Sequence, residues 1–472
     1  MHVQDLAAGV HTMSAGRHGE GLRADHVLPF VWMPTFQRGR EIGSSIRYAA
    51  NVSISGPLNG VVVADFSRVL AGPYATMLLG DLGATVIKVE SPGGDDTRHW
   101  GPPWTPEGDS TYFLSINRNK RSIALDLSSP QGRRRGLALV RRADVMIENF
   151  RGGSMARLGF DYDSVRGINP GLVYCSITGF GTAGGAEMPG YDLVVQAVSG
   201  LMSLTGPDAD TPSKNGIATA DVLTGLHAAV GILAALHHRE RTGEGQRVEL
   251  NLMSSMLSGL VNFGGAYALT GDVAHGIGIQ HPSICPYEPF PTADRLLVIA
   301  AGNDRQFQAL CGCLGLDHLV GDPRFATNAA RVGHREQLTE ALASVLRTRG
   351  ADEWFATLTG AGIPCGPIND VAQGMRLAES LGLEPIVDVD GSAQVANPIR
   401  LSATGVSYRR RPPALGGDEE EILAWLDGAE GADGLEGADG LEGADGLEGG
   451  DGSGGAASLE GVDGCRAAGV LG

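Results

Sequence analysis

Asp192 stands in Pro189-Gly190-Tyr191-Asp192-Leu193-Val194-Val195-Gln196-Ala197, where a Gly-rich run gives way to a long apolar segment. A carboxylate at a helix start meets unpaired N–H groups and a partial positive charge, which favour its ionised form and aim it into the preceding loop space. Held so, it suits a nucleophile. The same placement also describes an ordinary N-cap, for which Asp is among the commonest residues. Spacing alone leaves both readings open.

Such a residue needs a scaffold. After Gly60, Val61-Val62-Val63-Ala64-Asp65-Phe66 reads as a short strand, and Gly72-Pro73 introduces Ala75, Leu78, Leu79 and Leu82 at helical spacing. Gly83 stops that helix and Thr85 to Glu90 is the next strand, so the unit is β-α-β, parallel and right-handed. Val145 to Glu148 and Leu172 to Ser176 continue the alternation, each behind a helical stretch. The expected fold class is therefore α/β, with a doubly wound sheet.

Ligands of such sheets bind outside the carboxyl ends of the strands. Three ends here carry polar or flexible residues: Phe66-Ser67-Arg68-Val69, Glu148 to Gly153, and Ser176 to Gly181. Each Gly cluster alone is equally a plain turn, but three in succession point to a site. No GxGxxG follows the first strand, which disfavours a dehydrogenase. Further on, Asp221 is expected to cap an amphipathic helix with Leu226, Ala229, Val230, Leu233 and Leu236 on one apolar stripe and Gly243 past its end. Gln246 to Leu252 reads as a strand that feeds another helix.

A chain of 472 residues with 42% hydrophobic residues suffices for two domains with sizeable cores. The formal charge of -18 is concentrated at one end: from Asp418 onward there are 15 acidic residues and one basic residue, Arg466. The remainder is close to balanced and gives no sign of a nucleic-acid binder. Six cysteines show no CxxC pair and no His spacing for a metal, so they read as reduced thiols of a cytoplasmic protein with no metal site. No run of about 18 uninterrupted apolar residues occurs, and no membrane span is expected. Residues 1–56 lack signal-peptide order and read as a disordered extension, or as the product of a start codon placed too early. Residues 428–472 contain Gly-Ala-Asp-Gly-Leu-Glu three times in succession and are expected to be a disordered acidic tail, since they cannot bury enough apolar area to offset ordering entropy.

Several segments together resemble one family. They are Leu58 to Val61 with Asp65-Phe66, Ala71-Gly72-Pro73, Gly80 to Glu90, Asn119 to Ser122, Ile147 to Phe150, Thr178 to Gly181, Gly190-Tyr191-Asp192, and Gly362 to Ile368. In this order, from about Leu58 to Arg411, they look like a family III CoA-transferase, the formyl-CoA transferase family. The resemblance implies a Rossmann-like large domain interrupted by a smaller α-rich domain, and a homodimer of two interlocked rings. The domain limits that follow are 57–262 for the first part of the large domain, 263–292 for a linker or lid, 293–382 for the small domain, and 383–427 for the return.

The resemblance also implies that Asp192 attacks the thioester carbonyl of an acyl-CoA, giving a mixed aspartyl anhydride and CoA thiolate. One thioester is exchanged for another, so the acyl energy must be kept in a covalent intermediate, and water must be shut out. Backbone N–H groups of the Gly loops would serve as oxyanion donors. Val69, Leu125, Asn149, Phe150, Arg157 and Leu158 align with residues lining the family's CoA groove, joined by Thr178, Gly179 and Phe180; CoA is a substrate, and no permanently bound cofactor is implied. Three positions depart from the formyl-CoA transferase pattern: Leu70 for Gln, Ser91 for Arg and Thr178 for Lys. The first weakens the case for formate or oxalate.

Two alternatives stand beside the transferase. The α-methylacyl-CoA racemase branch carries His before the aspartate, where this chain has Tyr191; a phenol with a pKa near 10 suits a base at neutral pH poorly. A non-catalytic CoA-binding paralogue is the other. Around His281-Pro282-Ser283-Ile284 and Phe290 to Asp294 the chain resembles relatives that move CoA between dicarboxylates with succinyl-CoA as donor.

Overall fold

The computed structural model describes residues 56–428. The extension expected before residue 57 and the acidic tail expected after residue 427 lie, but for Gly56 and Gly428, outside the described residues. Strands β1 (Val62–Asp65), β2 (Thr85–Glu90), β3 (Lys120–Ala124), β4 (Val145–Glu148), β5 (Val173–Thr178) and β6 (Arg247–Asn251) form one sheet in the order β3-β2-β1-β4-β5-β6, parallel throughout. Side chains alternate between two buried faces, as a covered parallel sheet requires. Val63, Val86, Ile147 and Cys175 enter one core, and Ala64, Ile87, Met146 and Tyr174 the other. Helix α1 (Ala71–Asp81) covers the first face, and α2 (Pro130–Arg142) covers the second with Leu139 and Val140.

After β5 the chain makes a loop and the short helix α3 (Asp192–Val198), then α4 (Thr219–Thr242). The expected stripe on α4 is corrected here. Its N-cap is Ala218 and Asp221 lies inside the first turn. The buried face is Ala220, Thr224, Gly225, Ala228, Ala229, Ile232, Ala235 and Leu236, so Ala229 and Leu236 of the expected stripe do face inward, whereas Leu226, Val230 and Leu233 are exposed at 41%, 66% and 37%. The physical reason is close approach: a Cβ on Gly225 would lie 2.7 Å from Ala71 O of α1, so small residues face the neighbour. By length and composition α4 could cross a bilayer, with a mean hydropathy of 1.6. In this fold it packs on α1 and β6 instead.

β6 runs directly into α5 (Leu252–Gly259), followed by α6 (Val261–Thr270). The smaller α-rich region has its own core. Strands β7 (Tyr287–Pro291), β8 (Leu296–Ala300) and β9 (Cys365–Pro367) form an antiparallel sheet, on which Phe307, Leu310, Leu338, Leu342 and Trp354 pack from α7 (Asp304–Leu314), α8 (Arg335–Leu346) and α9 (Ala351–Gly360). The chain then rejoins the large sheet. Buried Asp81 accepts bonds from Arg118 at 2.7 and 2.9 Å, Asn119 at 2.7 Å and Asn397 at 2.9 Å. Ile422 and Leu426 of α10 (Glu419–Asp427) complete the second core.

Candidate active site

The loop after β1 is held from below by buried charge. Asp65 Oδ2 accepts from Lys120 Nζ at 3.0 Å and Thr76 Oγ1 at 2.6 Å, and Lys88 Nζ donates to Ser67 O at 2.9 Å and Asp95 Oδ2 at 2.8 Å. Burial alone would push the Asp65 carboxyl up, but Lys120, Lys88, Ser67 and Thr76 outweigh it and hold it below the usual range. This platform supports a strained residue. Val69 has φ +68°, a costly region for a β-branched side chain. Its N–H donates to both Asp95 carboxylate oxygens at 3.3 Å, while Arg68 N–H donates to Asn149 Oδ1 at 2.9 Å and Asn149 Nδ2 donates back to Arg68 O at 2.7 Å. The ends of β1 and β4 are thereby tied together where the strand order reverses.

That switch point opens into a cleft of about 230 Å³. Val69, Asn149, Phe150, Thr178, Gly179 and Phe180 all line it, together with Arg68, Arg151, Tyr191 and Asp221. Leu125, Arg157 and Leu158 do not. Leu125 is in the second core, Leu158 packs at its edge, and Arg157 donates to Ser154 Oγ at 3.0 Å on an exposed helix. Two loops meet closely at the floor: a Cβ on Gly190 would lie 2.5 Å from Gly179 Cα, which neither backbone could accommodate. A larger recess of about 420 Å³ lies beside Arg98 and Arg410, but these pair with Glu90 and Asp418, and the loops after β4 and β5 do not reach it.

Asp192 is half-buried and is the first residue of α3; Tyr191 holds the N-cap position. Its carboxylate does not cap its own helix. Oδ1 accepts from the N–H groups of Ala220 at 2.8 Å and Asp221 at 3.3 Å, in the first turn of α4, and Oδ2 accepts from Gln196 Nε2 at 2.6 Å. Free N–H groups and the positive end of a long helix thus stabilise its negative charge. Gln196 is itself oriented by Asn215 N–H, which donates to Oε1 at 2.9 Å.

Asp221 had no assigned role in the site from sequence. Burial first, and then the charge of Asp192, push its carboxyl up to about 7. Gln196 could have been found as the i+4 neighbour of Asp192 on a helix; the meeting of α3 with α4 left no local signal. Among the described residues no three His, Cys, Asp or Glu side chains cluster as a metal site.

A parallel sheet with a carboxylate fixed beside its switch-point cleft defines an α/β protein with a ligand site at the carboxyl ends of its strands. The profile of CoA-transferase family III matches residues 58–419. Succinate–glutarate CoA-transferase of Agrobacterium fabrum is 43% identical over 392 residues, covering 79% of this chain and 96% of that protein. Succinyl-CoA:glutarate CoA-transferase of Homo sapiens is 41% identical over 374 residues, covering 78% and 85%. The crystal structure of a CAIB/BAIF family protein from Brucella suis superposes with a TM-score of 0.73 at 42% identity, covering 79% of this chain and 100% of that one. The chain belongs to CoA-transferase family III. It is an enzyme that moves CoA between an acyl-CoA and a carboxylic acid, with CoA as substrate.

Proposed function

We propose that this enzyme transfers CoA from succinyl-CoA to a dicarboxylate, with glutarate as the leading acceptor, through a mixed anhydride on Asp192. The observation that carries the reading is the Asp192 carboxylate, held by three donors between cleft residues Tyr191 and Asp221. Its attack on the thioester carbonyl forms a C–O bond and, on collapse, expels CoA thiolate. The thiolate attacks the Asp192 acyl carbon, releasing succinate and leaving an aspartyl-CoA thioester. The acceptor carboxylate attacks that thioester, forming its own anhydride and freeing the thiolate, which attacks the acceptor acyl carbon to give the new acyl-CoA and free Asp192. Val69, Asn149, Phe150, Thr178, Gly179 and Phe180 form the CoA-facing wall, with Arg68 and Arg151 as its cations. Two relatives from distant organisms carry glutarate in their names, which supports a five-carbon diacid. Leu70 stands where the formyl-CoA transferase pattern has Gln, which weakens the case for formate or oxalate.

Incubation with succinyl-CoA and a panel of free acids, read by mass spectrometry, is expected to give glutaryl-CoA as the fastest new thioester. Turnover of monocarboxylates or carnitine with no dicarboxylate product would overturn the substrate class, and solvent exchange of an α-hydrogen without transfer would favour the racemase.

The domain limits 57–262, 263–292, 293–382 and 383–427 are part of the same proposal, as is a cytoplasmic location, supported by free thiols at Cys175, Cys285, Cys311, Cys313 and Cys365. So is the interlocked homodimer. Val230 and Leu233 on α4, with Val261, Tyr267 and Leu269 on α6, are apolar and exposed, Leu269 at 87%. A second copy would cover them. Sedimentation equilibrium at micromolar concentration should give the mass of two chains; a stable single-chain mass would reject the dimer.

A further inference from the structure

We propose that Asp221 holds a proton in the cleft and donates it as a hydrogen bond to the carboxylate of the acceptor acid, making it a binding and positioning residue for the second substrate. The proposal rests on the transferase reading of this cleft. It starts from a contrast between two adjacent carboxyl groups. Asp192 has three donors on its oxygens, whereas among the described residues no donor reaches the side-chain oxygens of Asp221, which faces the cleft. The Asp221 backbone N–H is already given to Asp192 Oδ1, so the two groups are held side by side.

An acceptor carboxylate must come to the carbonyl carbon of Asp192 once that residue is activated. With Asp221 ionised, two carboxylates would meet in one partly desolvated space, and like charges there disfavour entry. A neutral Asp221 removes that repulsion and offers an O–H to O⁻ bond, among the strongest neutral-to-charged hydrogen bonds available to a side chain. Acylation neutralises Asp192; the entering acceptor then restores a negative charge beside Asp221, so the proton stays on Asp221 throughout the exchange.

The groups facing Asp221 are consistent with this. Asp192 raises its proton affinity, after burial, to a pKa of about 7. Tyr112 is pushed up to about 12, burial first, so it keeps its proton over the working range. Arg68 pairs with Asp96 at 3.2 Å, and Arg151 donates to Glu187 O at 2.7 Å.

The test measures KM for glutarate and for succinyl-CoA separately from pH 6 to 8.5 at constant ionic strength. Glutarate is partly a monoanion at pH 6, so its KM is expressed on the concentration of the dianion, which removes its own titration. In the native enzyme the glutarate KM should rise about tenfold between pH 6 and pH 8, as Asp221 loses its proton, while the succinyl-CoA KM stays level. Asp221→Asn, whose amide donates at every pH, should flatten the glutarate profile; Asp221→Ala should flatten it at a higher KM. A level glutarate KM in the native enzyme, or a rise retained in Asp221→Asn, would overturn the proposal while leaving the transferase reading intact. Absence of transfer from succinyl-CoA to any acid would overturn both.

Discussion

Asp192→Ala should lower the rate of CoA transfer by on the order of 10⁴-fold or more, the scale of losing a group that forms the covalent intermediate. Without the carboxylate there is no anhydride to conserve the thioester energy, and acceptor attack on the thioester would need a different geometry. The substitution also leaves the N–H groups of Ala220 and Asp221, and the Gln196 amide, without their acceptor. That loss costs about 1–3 kcal/mol, so a structural contribution must be separated from a chemical one. Asp192→Asn does this, because its carbonyl oxygen still accepts from the start of α4 while its amide is no nucleophile. Both variants should be equally silent when succinyl-CoA and glutarate are followed by mass spectrometry, and circular dichroism should match the native protein for Asn. Turnover above a hundredth of the native rate in Asp192→Asn would exclude the anhydride route.

The second large effect is on stability. Asp65→Ala should destabilise the fold by about 3–5 kcal/mol, the cost of leaving a buried charge without its partner. Asp65 and Lys120 are both fully buried and 3.0 Å apart, and Lys88 lies in the same network. Because the Asp65 carboxyl is held below its usual range, its contribution is fully present above the unfolded value of about 3.9 and is lost as pH falls through the lower folded value. The gap between native and variant, read from urea midpoints, should be constant from pH 5 to 7 and narrow below pH 4. A gap under about 1 kcal/mol at pH 7 would mean that the lysines find other partners. Since the same network carries Ser67 and the strained Val69, the surviving folded variant should also show a raised KM for acyl-CoA.

Much of this arrangement was legible residue by residue. Thr85–Glu90 and Val145–Glu148 are apolar runs bounded by turn and helix residues, and such runs report local backbone preference without help from distant contacts. Gly179, Gly181 and Gly190 marked the loops, and Asp192 marked a helix start, for the same local reason. β3 escaped because Lys120 and Arg121 break its apolar pattern; Lys120 is tolerated inside only because Asp65 waits on β1. α4 was found as a helix, but only Ala229 and Leu236 of its expected stripe face inward, since a segment apolar all round does not say which side a neighbour takes.

What the sequence determined by itself, then, was most strands and helices of the large sheet, β3 excepted, the Gly-rich strand ends, and the acid at the start of α3. Tertiary structure decided which of those ends share a cleft, that Leu125 is sealed in a core, and that the Asp192 carboxylate is held by the first turn of α4 beside a second carboxyl, Asp221, whose proton affinity burial raises. The reason is range. Helix and strand preferences act over a few residues, but a carboxylate's partners, and the burial that fixes its proton, depend on segments nearly thirty residues away in sequence being packed within 3 Å.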